Sequence, residues 1–204
     1  NKKKNFKDAL VKINELEKNN PENPIILNLK GLTLFSLNLY NQALICFEEA
    51  LKNIDKKNLK NNDLLISILN NKGMTNLNFG NFSQAINDFN KILKINPNFF
   101  QAYNHLGVAY ENLGDREKSI KYYIKSNNLN DNYVPAKNNL IKALTFYKAT
   151  SHEPNNILTT ALKLNENNFY YDSKNQIDQK NIFSTLKKAN SIIQKNLGEI
   201  TSKD

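Results

Sequence analysis

Apolar positions recur along this chain at helical spacing between short polar joints, and one set of them repeats in register. A glycine (Gly31, Gly73, Gly107) is followed twelve residues later by a small residue (Ala43, Ala85, Ser119) and, four residues beyond that, by an aromatic ring (Phe47, Phe89, Tyr123). Gly73 and Gly107 lie 34 residues apart; Gly31 and Gly73 lie 42 apart, the same interval with 8 residues inserted. A fixed period of that size predicts a stack of helical hairpins. Glycine costs roughly 1 kcal/mol against alanine inside a helix, so three in register need a packing reason. The spacing predicts that each glycine lets a second helix approach closely, with the small residue opposite it. The ring, one turn further along the same face, would then fill space against the next hairpin. No hairpin buries such a face alone, so stability becomes a sum over neighbours.

These residues resemble the tetratricopeptide repeat, whose pattern runs through a large residue at position 4, Leu-Gly at 7 and 8, Tyr at 11, Ala at 20, an aromatic at 24, Ala at 27 and Pro at 32. The third unit carries Tyr103, Leu106, Gly107, Tyr110, Gly114, Ser119, Tyr123, Ser126 and Asp131. The second carries Leu69, Lys72, Gly73, Asn76, Gly80, Ala85, Phe89, Ile92 and Pro97, and the first Leu27, Lys30, Gly31, Leu34, Ala43, Phe47, Ala50 and Asp55. The resemblance implies an all-α, right-handed superhelical solenoid of antiparallel helix pairs.

Extending the register gives the expected organisation. Residues 1–22 form a half-repeat, with Ala9, Ile13 and Leu16 on the packed face of a second helix, so that the chain opens inside a repeat; it is either part of a longer array or begins with a cap. Units follow at 24–57, 66–99 and 100–133, with an insertion at 58–65 between the first two. Residues 134–165 form a degenerate fourth unit, in which Ile141 stands where the glycine should be. Residues 166–204 are a loop and a C-terminal capping helix, with Ile177, Phe183, Leu186, Ala189, Ile193 and Leu197 at roughly helical spacing.

Composition narrows the function more than the fold. The 204 residues carry a formal charge of +9 and a mean hydropathy of −0.61, and no apolar run is long enough to span a membrane. The lysines that produce the charge sit at the start (Lys2, Lys3, Lys4), in the insertion (Lys56, Lys57, Lys60) and near the end (Lys187, Lys188). That dispersal argues against a nucleic-acid interface, which needs them on one face with rings to stack on. The single cysteine, Cys46, excludes an internal disulfide and reads as core filling beside Phe47. His105 and His152 have no partners spaced for a zinc site or a nucleophile with its base, and no glycine-rich loop follows a strand. The sequence offers no catalytic, cofactor-binding or metal-binding residues, and it names no compartment. Asparagine is about one residue in five, which with the lysine and isoleucine content suggests an AT-rich genome rather than a function.

One alignment within that asparagine background points to binding. The resemblance implies that first helices line a concave groove with positions 2, 5, 6, 9, 12 and 13. Position 5 is Asn28, Asn70, Asn104 and Asn138 in four successive units, and position 6 adds Asn71, His105 and Asn139. An asparagine amide both donates and accepts, so such a ladder suits the backbone of an extended peptide whatever its sequence. Leu32, Phe35 and Met74 make the first two units the apolar end of the groove. The two-carboxylate clamp with which co-chaperone repeats hold acidic tails is not present: its positions hold Asn28, Leu32, Asn71, Gln101 and His105, of which Asn71 alone matches. The expectation is a non-enzymatic protein-interaction module that takes a partner's extended peptide or helix in its groove. The alternative is a structural scaffold that self-associates through its end faces.

Overall fold

A computed structural model of the chain describes residues 2–54 and 62–150, with side-chain surroundings for 4–54 and 62–144. Eight α-helices and no strands occur among the described residues: α1 Lys2–Asn19, α2 Pro24–Ser36, α3 Tyr40–Asn53, α4 Asn62–Phe79, α5 Phe82–Ile95, α6 Phe100–Asn112, α7 Arg116–Leu129 and α8 Val134–Thr150. The chain divides into two compact units, Asn1–Ala102 and Tyr103–Asp204. In the first, α1, α2, α3, α4 and α5 pack each against the next, and α2 also meets α4; in the second, α7 packs against α8. α4 begins at Asn62, inside the segment read as an insertion. Residues 151–165 of the degenerate fourth unit and the loop and capping helix expected over 166–204 fall outside the described residues, as does the lysine cluster of the insertion.

The joints follow from local chemistry. Asn23 caps α2, its Oδ1 accepting from the Ile25 amide at 2.9 Å, and Pro24 fills the first turn, where a missing N–H costs nothing. Between the helices of each hairpin the chain passes through one residue of positive φ: Asn38 (62°), Gly80 (89°) and Gly114 (80°). The following amide bonds back five residues in each case, Leu39 to Leu34 (2.9 Å), Asn81 to Asn76 (2.8 Å) and Asp115 to Tyr110 (2.9 Å), closing the last turn of the first helix. At the other joints, Asn96 and Asn130 each turn a side-chain oxygen onto the amide two residues on, Asn98 and Asn132, at 3.0 Å. Part of the asparagine excess thus does local backbone work.

Each glycine of the register faces an aromatic ring of its own hairpin. A Cβ on Gly31 would lie 2.5 Å from the Phe47 ring, on Gly73 2.7 Å from Phe89, and on Gly107 2.4 Å from Tyr123. The close approach that the spacing predicts is thus made between glycine and ring: the rings lie over the glycines. Phe47, Phe89 and Tyr123 are fully buried, as are Ala43 and Ala85. Around Phe47 the core of the first hairpin gathers Leu27, Leu34, Cys46, Ala50 and Ile54, and Ile68 of α4 joins the same cluster, so apolar contact runs from one hairpin into the next.

A second recurring slot, one residue before each ring, is filled by three chemistries. Cys46 lies with Leu34 in the apolar cluster of the first hairpin, and burial pushes its thiol pKa up. In the second hairpin Asp88 is buried and accepts from Asn76 (3.1 Å) and Lys72 (3.3 Å). In the third, Tyr122 stacks on Tyr110 at 5.3 Å between ring centres.

The positive-φ joint gives a direct check. Gly80→Ala and Gly114→Ala should each lower unfolding stability by about 1 kcal/mol, because a Cβ is disfavoured there whatever the space, whereas Asn38→Gly should leave stability unchanged or slightly higher. Urea unfolding of the three variants reads the difference.

Candidate binding face

The amides singled out from the sequence come together across successive first helices. In the first unit, Asn71 Nδ2 on α4 donates to Asn28 Oδ1 on α2 at 3.0 Å. In the second, Asn139 Nδ2 on α8 donates to Asn104 Oδ1 on α6 at 2.9 Å. The same positions bond with the same polarity in both units: position 6 of one repeat donates to position 5 of the repeat before it. Asn28 and Asn104 are buried, Asn71 and Asn139 half-buried, and Asn138 is exposed. Asn70 is half-buried; its Nδ2 lies 3.5 Å from Met74 Sδ, a weak acceptor, and its Oδ1 is buried with no hydrogen-bond partner. Gln101 Oε1 is buried and unpartnered in the same way.

Leu32 and Phe35 are half-buried and pack against the apolar cluster of the first hairpin, so both serve the core as well as the face. Phe35 also starts an aromatic row that sequence reasoning missed, running to Tyr40 (5.7 Å between ring centres) and on to Phe79 (6.2 Å). Tyr40 and Phe79 stand at helix ends beside the positive-φ joints, outside the groove positions of the repeat. The lysines nearest this face in sequence are turned into ion pairs: Lys30 meets Glu17 at 2.6 Å and Lys72 meets Asp88 at 3.3 Å. No charged residue occupies positions 2, 5, 6, 9, 12 or 13 of the first two units, which read Ile25, Asn28, Leu29, Leu32, Phe35, Ser36 and Ser67, Asn70, Asn71, Met74, Leu77, Asn78.

The third repeat departs from this neutrality at position 12, where Glu111 stands in place of Phe35 and Leu77. The Tyr123 hydroxyl donates to Glu111 Oε2 at 2.6 Å, and Lys142 lies 3.5 Å from the other carboxylate oxygen. The carboxylate therefore pairs with the one ring of the register that carries a hydroxyl. Burial and this hydrogen bond raise the Tyr123 pKa. His105 is a neutral imidazole at ordinary pH, since desolvation lowers its pKa to about 4.

Eight helices among the described residues, six of them in three hairpins of one register, place the chain in the class of all-α helical-repeat proteins. Residues 25–56 and 100–133 match the tetratricopeptide-repeat sequence model and residues 80–114 match a TPR-repeat model, so the chain carries tetratricopeptide repeats. It is accordingly a protein–protein interaction module built on a fold that typically serves as a scaffold rather than an enzyme. Solved structures share that fold. A crystal structure of MamA is 21% identical, with a TM-score of 0.61 over 83% of this chain and 94% of that one. MamA from Desulfovibrio magneticus RS-1 is also 21% identical, with a TM-score of 0.61 over 82% and 88%. The first TPR of Spaghetti (RPAP3), bound to the HSP90 peptide SRMEEVD, is 23% identical, with a TM-score of 0.53 over 61% and 92%. No curated protein matches the chain. None of the described helices is long and apolar enough to cross a membrane.

The depressed histidine pKa sets a pH dependence. A folded pKa near 4, against about 6.5 in the unfolded chain, means that the unfolded state binds the extra proton first as pH falls. Stability should be full above about pH 6.5 and should decline by up to about 3 kcal/mol on going down to pH 4. His105→Gln should flatten that part of the profile, and urea midpoints taken across the range give the measurement.

Proposed function

We propose that the face formed by the first helices holds an extended peptide or a helix of a protein partner. The observation that carries this reading is the composition of that face in the first unit: amides whose hydrogen-bonding capacity is only partly used, set among apolar side chains and free of charge. An unmet buried acceptor such as Asn70 Oδ1 costs on the order of 1–3 kcal/mol in a site with no ligand role, so its retention beside Met74 calls for an explanation. A ligand backbone that lets this amide reorient supplies one. Asn28, Leu32, Phe35, Asn70, Asn71 and Met74 are the contact residues in the first unit, and Asn104, His105, Asn138 and Asn139 in the second.

The acidic tail that occupies the RPAP3 repeat domain is not the ligand expected for this chain. The clamp positions here supply no cation: Asn28, Leu32, Asn71 and Gln101 are uncharged, and His105 is held neutral. The partner segment is apolar and uncharged, matched to the face it meets.

A partner recovered by affinity capture and reduced to its binding peptide supplies the test. Asn70→Ala should weaken that peptide's binding about fivefold or more, while the helical melt stays within a degree or two, because this amide bonds nothing but a sulfur in the free protein. Asn104→Ala should weaken binding too, but at some cost in stability, because it also breaks the bond to Asn139. Equal affinity in Asn70→Ala removes the face from the account. Sedimentation over a range of concentrations checks the competing scaffold reading, which requires association without ligand.

A further inference from the structure

In the third repeat the second helix carries a stripe of charge that the first two repeats lack. Lys118, Lys121 and Lys125 occupy positions 19, 22 and 26, a spacing of i, i+3 and i+7 that sets them on one face of α7. The first repeat has Gln42, Ile45 and Glu49 there, and the second Gln84, Asn87 and Lys91, the last within 3.8 Å of Asp88. Beside the stripe runs a row of three half-buried tyrosines of the same hairpin. Tyr122 of α7 stacks on Tyr110 (5.3 Å between ring centres) and on Tyr103 (6.3 Å), both of α6. Each outer ring carries an ammonium group: Lys118 Nζ lies 5.1 Å from the centre of Tyr110, and Lys125 Nζ 5.9 Å from that of Tyr103.

These contacts place the charges and leave them available. Lys118 shares its charge with Asp115 at 2.6 Å, yet its side chain is 57% exposed. Among the described residues neither Lys121, which is exposed, nor Lys125 belongs to an ion pair, and Glu117, one turn before Lys121, pairs with neither. A lysine held over a ring has already given up part of its rotamer freedom, so an anion that meets it has less ordering left to impose.

We propose that this stripe is a docking surface, separate from the groove, for an acidic helical segment of a protein partner. Charge complementarity and spacing together select that partner. Three cations over seven residues of helix span about 10 Å at intervals close to one turn, and carboxylates one turn apart on a second helix recur at the same intervals. Single-stranded nucleic acid fits less well, because its bases bind rings by stacking on open faces. Here the middle tyrosine is stacked on both neighbours and the outer two carry lysines. The groove positions lie on first helices, so the proposal stands apart from the peptide-capture reading.

The probe is a capped, labelled, alanine-based helix of about twenty residues with glutamates at i, i+4 and i+7. An isomer with the same glutamates scattered around the helix and a labelled single-stranded oligonucleotide are measured alongside. Binding to the full chain is read by fluorescence anisotropy in about 0.02 M and about 0.15 M salt.

The striped peptide should bind more tightly than its isomer, and its affinity should fall severalfold from the lower salt to the higher. Lys121→Gln should weaken it about threefold and Lys121→Glu about tenfold, with an unchanged thermal melt. Lys12→Glu, the same change of charge at an exposed lysine of α1, should bind as the wild type does. Equal binding of the two peptides, or equal losses in Lys121→Glu and Lys12→Glu, would reduce the stripe to net charge and overturn the proposal. Failure of the striped peptide to bind would overturn it as well. Tighter binding of the oligonucleotide, lost in Lys121→Glu, would put nucleic acid in place of the acidic helix.

Discussion

The contact on which the architecture depends is the one between a bare Cα and the face of an aromatic ring. A Cβ at Gly31, Gly73 or Gly107 would sit 2.4–2.7 Å from a ring atom, where no real side-chain carbon can be accommodated without displacement. The rings are fully buried, so they have little room to move away. Glycine's cost within the helix is therefore offset by a close approach that only glycine permits. Once the two helices of a hairpin are held at that distance, the positions around the ring are fixed as well, and within each compact unit neighbouring first helices bring matching positions together. The asparagine row depends on this: Asn71 reaches Asn28, and Asn139 reaches Asn104, because successive first helices stand in register.

Within that frame the chain varies its chemistry slot by slot. The site next to each ring is apolar in one hairpin, an ion pair in the next and a stack of tyrosines in the third. Tyr123 exchanges a hydrogen for a hydroxyl relative to Phe47 and Phe89, and the groove-facing position twelve residues earlier changes from Phe35 and Leu77 to Glu111 to receive it. These compensations keep each hairpin internally consistent while the repeat sequence drifts. They also keep charge off the face of the first unit, since Lys30 and Lys72 are held by Glu17 and Asp88. A chain of net charge +9 thus carries an uncharged candidate binding surface.

Much of this was legible in the residues. The 34-residue interval and the glycine, small residue and ring within it sufficed for the helix pairs, for a helix at the start and for one beginning at Val134. The position-5 asparagines were also visible, because four in register stand out even against a background of one in five. Other features were not legible, for identifiable reasons. Spacing says that Gly73 and Phe89 belong together but not that the ring lies over the glycine; that is decided by side-chain direction. The partner of Asn28 is 43 residues away, on another repeat, where periodicity gives proximity but no hydrogen-bond polarity. The aromatic row of Phe35, Tyr40 and Phe79 joins residues from three helices at positions that the repeat pattern leaves unspecified.

The central claim is that the ring and the glycine are one interaction. A double-mutant cycle on Gly73 and Phe89 tests it most directly, with urea unfolding of Gly73→Ala, Phe89→Leu and the pair. The two single changes should each destabilise, Gly73→Ala by about 1–3 kcal/mol through overpacking. The double variant, in which a smaller side chain makes room for the new methyl group, should be more stable than the sum of the singles by about 1 kcal/mol or more. Strict additivity, or a stabilised Gly73→Ala, would contradict the account.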